Sequence, residues 1–489
     1  MPVSRVNLFL VAAVAVVVGV AAGFAGQYPA VPIVIAVGAL IALAARRLDG
    51  WQVIYAVVIL LTLSAASNIT ILTRLSYHTR YVAVAALVAC TFLSAAEHKR
   101  SMRSLGWPTR LLIGSLWAAA ALAAFSSVWS VNRMETLQQS VALGLLAALV
   151  HGVISRRWAE THLISRDLGI AYVLLTLSFA ASLLYTFIGG EEARTYSGRL
   201  QGLYANPNML SLLCAISIPV GWGLYRRSRR PLVLIGIVPA VMALVLSESR
   251  TALLAVAIGA FWVLARSGLG AVLRTVGTAA LALFAIQLLG GLGMLRDAEW
   301  ATAVASRFTA GEGGDISNGR IFAWQLTLDL WEARPGLGYG YAAGPWLFEA
   351  TRQSDFFDFQ GNSVHNSYLQ WLLELGLAGL ALLLLLGLVC LLAVTRSSVR
   401  GIGSGLVWLV VTGLLVQLTE SAMFGTGQPY PYLFWLAVAG ALVHRQGRVG
   451  PRHLRRKSSE VAHPVLLRQA ARRPAGIGSP GRRRTRLPA

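Results

Sequence analysis

Apolar runs long enough to cross a bilayer recur through nearly the whole of this 489-residue chain, and no other feature constrains its fold as much. Crossing roughly 30 Å of hydrocarbon takes about 17 to 25 helical residues, and within that layer each backbone N–H and C=O must be satisfied internally. Such runs stand near 6–25, 30–45, 51–67, 81–96, 111–129, 137–154, 168–188, 206–224, 231–246, 250–265, 273–291, 366–394, 404–422 and 430–444. The expected fold is an all-α polytopic membrane protein of about 12–14 transmembrane helices. Only 13% of the residues are charged, against about 25% in soluble domains.

The net charge of +22 raises the question of nucleic-acid binding, and its distribution answers it. With the N-terminus cytoplasmic, alternation puts most of the 42 Lys and Arg on one side. Arg46 and Arg47, Arg156 and Arg157, Arg226 and Arg227, and Arg396 and Arg400 all fall there. This is the positive-inside pattern, and anionic membrane lipids, rather than nucleic acid, are the partner it implies. The chain is therefore expected in the inner or plasma membrane with both termini cytoplasmic. The first run, after Arg5 and through Phe24, has the form of a signal peptide, but with so many spans behind it the run reads as an uncleaved anchor. Cys90, Cys214 and Cys390 each lie inside an apolar run, with no disulfide or metal-ligand spacing.

Four regions follow. Residues 1–290 form a bundle of about 11 spans, 291–365 a large extracytoplasmic loop, 366–444 the C-terminal spans, and 445–489 a basic tail whose composition predicts disorder. The large loop is the one sizeable segment outside the membrane apart from the tail, and long loops in compact proteins are usually functional. Within it, Ser317-Asn318-Gly319 can cap a helix from about Arg320. Ile321, Trp324, Leu328 and Trp331 recur at helical spacing and predict a helix lying at the membrane interface. Pro335-Gly336 ends it, and Leu337-Gly338-Tyr339-Gly340 reads as a place of close backbone packing. No strand precedes those glycines, as a nucleotide loop would require.

The chemistry-bearing residues concentrate at the outer ends of spans. If Asn362 or Ser363 caps the span beginning near 366, His365 lies in its first turn, where the unsatisfied N–H groups and the dipole disfavour an imidazolium and a neutral ring can accept a proton. Gly376, eleven residues on, then lies about three turns beneath His365, past Tyr368, and with Gly379 admits another helix closely. Arg199, Arg250 and Arg320 each stand at an outer edge, where the positive-inside rule makes a base unusual. Three guanidinium groups at one level make a site for a diphosphate; a lone one would simply reach a lipid headgroup. Asn206-Pro207-Asn208 has the form of a helix start, Asn206 as cap and Pro207 first in the helix. Glu374 and Glu420 lie in or near spans, where an ionisable residue is a functional candidate, although Glu374 falls on the helix face opposite His365.

In these stretches the chain resembles the O-antigen ligase and O-antigen polymerase (Wzy-like) superfamily of membrane glycosyltransferases. The resemblance rests on His365-Asn366, nine residues, then Gly376-Leu377; on Gly198-Arg199 through Asn206-Pro207-Asn208; on Ser249-Arg250-Thr251; on Gly319-Arg320; and on Pro335 through Gly340. It implies transfer of a glycan from a polyprenyl diphosphate carrier to an acceptor hydroxyl at the outer face, with no metal or nucleotide cofactor. In that setting His365 is the general base, Arg199, Arg250 and Arg320 hold the diphosphate, and Asn366, Gly376, Asn208 and Tyr368 support them. The acceptor is a glycan, lipid or protein. Two alternatives stay open at this point: a polymerase of the same superfamily joining lipid-linked repeats, and a transporter or lipid-linked glycan flippase.

Overall fold

The computed structural model describes residues 48–93, 102–188, 190–271, 273, 320–351, 363–425 and 427–446. The expected spans at 6–25 and 30–45, nearly all of 273–291, the caps expected at 317–319 and Asn362, and the basic tail lie outside the described residues. The described chain is helical, with isolated bridges at Ser67–Tyr204 and Arg194–Leu200 in place of strands. The helices are α1 (Gly50–Ala65), α2 (Thr70–Leu93), α3 (Trp107–Ser126), α4 (Arg133–Ser155), α5 (His162–Ile188), α6 (Pro207–Ser228) and α7 (Leu232–Leu246, interrupted at Gly236). They continue with α8 (Arg250–Arg266), α9 (Arg320–Glu332), α10 (Gly344–Ala350), α11 (Ser367–Arg396), α12 (Ile402–Val416) and α13 (Pro429–Gln446). Five of them, beginning at Trp107, Arg133, His162, Pro207 and Ser367, are long and apolar enough to cross a membrane. The protein is an all-α, multi-pass membrane protein.

Small residues allow the bundle to close, as they do where helices meet without a hydrophobic drive from water. The α6–α12 contact is the clearest case. A Cβ on Gly223 would lie 3.0 Å from the Gly405 Cα, and one on Gly405 2.3 Å from the Pro219 carbonyl oxygen, so neither position has room for alanine. Trp408 of α12 then donates its Nε1–H to the Val256 carbonyl of α8 at 2.8 Å. These contacts hold α6, α8 and α12 together, and the ends of these three helices carry much of the candidate site.

The opposite end of the bundle is tied by charge. The buried Asp167 carboxylate accepts from Arg157, Gln52 and Trp158, and Arg157 also pairs with Asp49 at 2.9 Å. Every member has a partner, as a buried ionic group requires, so this cluster reads as a structural fastening.

α9 forms where a helix is expected. Its buried residues are Ala323 and Thr327, while Ile321 and Leu328 are exposed. The small residues face α11, where the backbones approach, and Ala323 joins Phe348, Val364 and Leu373 in a satellite core beneath the loop.

Candidate active site

A turn at 363–367 is clamped to the chain that leaves α12. Asn366 is the N-cap of α11, its Oδ1 accepting from the N–H groups of Tyr368 (2.9 Å) and Leu369 (3.1 Å). Its side-chain amide donates to the Leu418 carbonyl, and its backbone N–H donates to Ser421 Oγ. Ser367 N–H donates to the Gln417 carbonyl at 3.0 Å. Two residues of one segment are thus bonded to three of the other.

His365 therefore stands just before the cap, with φ +49°, and not in the helix's first turn as expected from a cap at Asn362 or Ser363. That left-handed backbone is uncommon for a residue with a side chain and is characteristic of sites where the surroundings hold it in place. It turns the imidazole towards Glu420: Nδ1 lies 3.2 Å from Oε2. Glu420, 8% exposed, sits past the end of α12 in the loop beyond it, not in the span expected to reach 422. A carboxylate oxygen accepts, so Nδ1 donates, and this bond selects the tautomer whose lone pair is on Nε2.

The other carboxylate oxygen gathers the cations. Glu420 Oε1 accepts from Arg320 Nη2 at 2.7 Å and from Asn208 Nδ2 at 3.2 Å. Asn208 Oδ1 accepts in turn from Arg199 Nη2 at 2.9 Å, and Arg199 Nε donates to the Ser247 carbonyl at 2.9 Å. Asn208 thus lies between a guanidinium and a carboxylate, which fixes its amide orientation. The sequence sets up this bridge locally: Asn206 caps α6 by accepting from Met209 N–H at 2.8 Å, with Pro207 at the first position, and Asn208 follows. Arg199 and Arg320, 121 positions apart in the chain, are joined through two side chains. Arg250, half-buried, opens α8 three residues after Ser247 but is not one of the groups bonded to Glu420. Tyr368 packs half-buried against the main core.

Gly376 does something other than what its spacing predicts. It has φ +62° and ψ −156° and breaks α11, and among the described residues a loop, not a second helix, comes nearest to it. The Pro335–Gly340 loop fills the break: Leu377 N–H donates to the Pro335 carbonyl, Tyr339 N–H to Leu373 and Gly340 N–H to Glu374. A Cβ on Gly376 would lie 2.3 Å from the Gly336 carbonyl oxygen, and one on Gly338 2.5 Å from the Leu373 carbonyl oxygen. The part of α11 after the break is about 30 Å long at 1.5 Å per residue, the thickness of the hydrocarbon layer. Gly376→Ala meets both a positive φ and backbone contact, so a loss of about 3 kcal/mol or more of stability is expected. Thermal unfolding in detergent checks this.

Glu374, fully buried, holds the same loop. It accepts from Ala342 N–H, Gly344 N–H and Gln370 Nε2. Burial, and then the nearby Glu374 carboxylate, push the Tyr341 phenol above its ordinary range, so Tyr341 remains a neutral donor.

Residues 235–384 match the family model described as O-antigen ligase (Wzy_C). The match contains Arg250, Arg320, His365 and Gly376, while Arg199, Asn208 and Glu420 lie outside it. No curated protein matches the chain.

Proposed function

The chain belongs to the O-antigen ligase (Wzy-like) superfamily through residues 235–384, and on that premise we propose that it transfers a glycan from a polyprenyl diphosphate to an acceptor hydroxyl at the outer face of the membrane. The observation that carries this reading is Glu420, one carboxylate bonded to both His365 and Arg320. It joins a base to a cation.

In the reaction, His365 Nε2 takes the proton of the acceptor hydroxyl while its oxygen attacks the anomeric carbon. The bond from that carbon to the diphosphate oxygen breaks, and the electron pair leaves with the polyprenyl diphosphate. The imidazolium formed is stabilised by Glu420 on its Nδ1 side. Glu420 also holds one of the five N–H donors of Arg320, which orients the guanidinium. Arg199, Arg320 and Arg250 stabilise the charge that develops on the leaving diphosphate. Direct attack with one base inverts the anomeric carbon. Asn366 and Gly376 act on the scaffold: the first caps α11 and clamps the histidine turn to 418–421, and the second admits the loop beneath it.

Transfer by full-length protein in detergent, with an undecaprenyl diphosphate oligosaccharide as donor, tests the arginine roles. Arg199→Ala is expected to raise the donor KM about 10- to 100-fold, the effect of one charge-assisted hydrogen bond, with a smaller change in kcat. Arg320→Ala is expected to raise KM and lower kcat together, because it also releases Glu420. An unchanged donor KM in both variants contradicts the diphosphate assignment.

A further inference from the structure

Arg80 of α2 is a buried cation, 8% exposed, yet among the described residues no carboxylate lies within ion-pair distance of it. Arg157 and Arg320, by contrast, each meet an acid. The Arg80 guanidinium lies over the rings of Tyr77 (5.1 Å) and Tyr81 (4.8 Å), and Nη2 donates to the Tyr81 hydroxyl at 3.2 Å. The backbone also comes close: a Cβ on Gly427 would fall 2.9 Å from Nη2 and 3.0 Å from Cζ. Nε is buried with no hydrogen-bond partner. Aromatic faces attract the cation but supply no acceptors for its remaining N–H groups, and a buried charge without a counter-ion is costly. The chemistry that answers these groups is an anion.

The place of Arg80 in the fold says which anion can reach it. α2 starts at the end of the bundle that carries the candidate site. Just ahead of it, Ser67 Oγ and Asn68 N–H both donate to the Leu203 carbonyl, four residues after Arg199, and Gly427 lies seven residues after Glu420. Ahead of Arg80 the exposed face of α2 carries Arg74, Tyr77, His78 and Thr79 alongside Leu75. Beyond it Val82, Ala85, Ala86, Ala89 and Leu93 are exposed at helical spacing, and all are apolar. Arg80 therefore stands where a mixed face gives way to a lipid-facing one, with two tyrosines beside it, the level at which phospholipid headgroups lie. Tyr77 is 51% exposed, so the ring that covers the guanidinium is itself at the surface.

We propose that Arg80 binds the phosphate of one anionic phospholipid, whose acyl chains run along the apolar face of α2 towards Leu93. A guanidinium offers a phosphate diester paired N–H donors, and the Tyr77 and Tyr81 rings hold its plane. The exposed Arg74 on the same helix adds positive charge, which favours phosphatidylglycerol over zwitterionic phosphatidylethanolamine. Arg80 shares no partner with the groups bonded to Glu420, so this lipid is a fixed neighbour of the candidate site and not the donor. By neutralising Arg80 it secures α2 against the segment around Gly427.

The test is native mass spectrometry on full-length protein in detergent, titrated with phosphatidylglycerol, phosphatidylethanolamine or undecaprenyl phosphate. The wild type is expected to hold one phosphatidylglycerol about tenfold more tightly than phosphatidylethanolamine. Arg80→Gln is expected to bind it about tenfold more weakly than the wild type, the loss of one charge-assisted contact. Arg80→Lys carries the same comparison should the glutamine variant not fold: its ammonium keeps the charge but lacks the planar fork, and a several-fold loss is expected. Arg74→Ala should bind within about twofold of the wild type, as an exposed pair contributes little. Unchanged phosphatidylglycerol binding in the Arg80 variants, equal affinity for the two phospholipids, or an equal loss in Arg74→Ala, which marks diffuse attraction to a basic surface, each overturns the proposal. So does displacement of phosphatidylglycerol by undecaprenyl phosphate at equal concentration, which makes the site one for the carrier lipid. No glycan is transferred in the measurement, so its outcome is independent of the transferase reading.

Discussion

Replacing His365 by alanine is expected to lower glycan transfer about 10²- to 10⁴-fold, the contribution of a positioned general base. The ring lies at the end of a hydrogen-bonded chain that runs from Ser247 through Arg199, Asn208 and Glu420, so its removal leaves the arginines and the donor site in place. Donor binding by His365→Ala should therefore match the wild type while turnover falls. Imidazole added to the assay should restore part of the lost rate, because the vacated volume borders the carboxylate that oriented the ring. Turnover within a few-fold of wild type, in protein shown to be inserted and folded, excludes His365 as the base.

The second large effect is expected at Glu420. In Glu420→Gln the side chain keeps its size but has one acceptor oxygen and one donor NH₂, while its surroundings present three donors: Arg320, Asn208 and His365 Nδ1–H. Either the guanidinium or the imidazole then faces an N–H group. The imidazole answers by moving its proton to Nε2, which removes the base. A comparable change in a serine-protease triad lowers turnover about 10⁴-fold through the wrong tautomer, and a fall in kcat of about 10²- to 10⁴-fold is expected here. A purely structural role would lower the unfolding temperature and kcat together. The positioning role predicts that Glu420→Gln unfolds near the wild-type temperature and that Glu420→Asp, which keeps the charge, recovers part of the rate. A kcat for Glu420→Gln within threefold of wild type would contradict it.

These effects were legible in the sequence to different degrees. His365, Arg199 and Arg320 stand out because they are polar residues at the outer ends of apolar runs, on the side that the positive-inside rule depletes of bases. Hydropathy and capping chemistry found most of the described helices, and Asn206-Pro207 marked the start of α6 correctly. Glu420 was visible as an ionisable residue near a span, but its role was not, because its partners lie 55, 100 and 212 residues away in the chain. The cap of α11 was misplaced for a related reason. Asn362, Ser363 and Asn366 are all acceptable caps locally, and the bonds of Asn366 to Leu418 and Ser421 decide between them.

The break at Gly376 was hidden by composition. Apolar residues continue on both sides of it, so the pattern reads as one uninterrupted helix, and only the Pro335–Gly340 loop lodged against it shows why glycine is needed. A separate contact buries α9, where Ala323 shares a small core with Leu373 of α11.

The anomeric configuration of the product tests the central claim most directly. Full-length protein is supplied with a polyprenyl diphosphate oligosaccharide of known anomeric configuration and a glycan acceptor, and the new linkage is read by NMR. Deprotonation of the acceptor by His365 with direct displacement of the diphosphate predicts an inverted linkage and release of intact polyprenyl diphosphate. A retained linkage, which requires a covalent glycosyl intermediate, or release of the polyprenyl monophosphate would contradict the account.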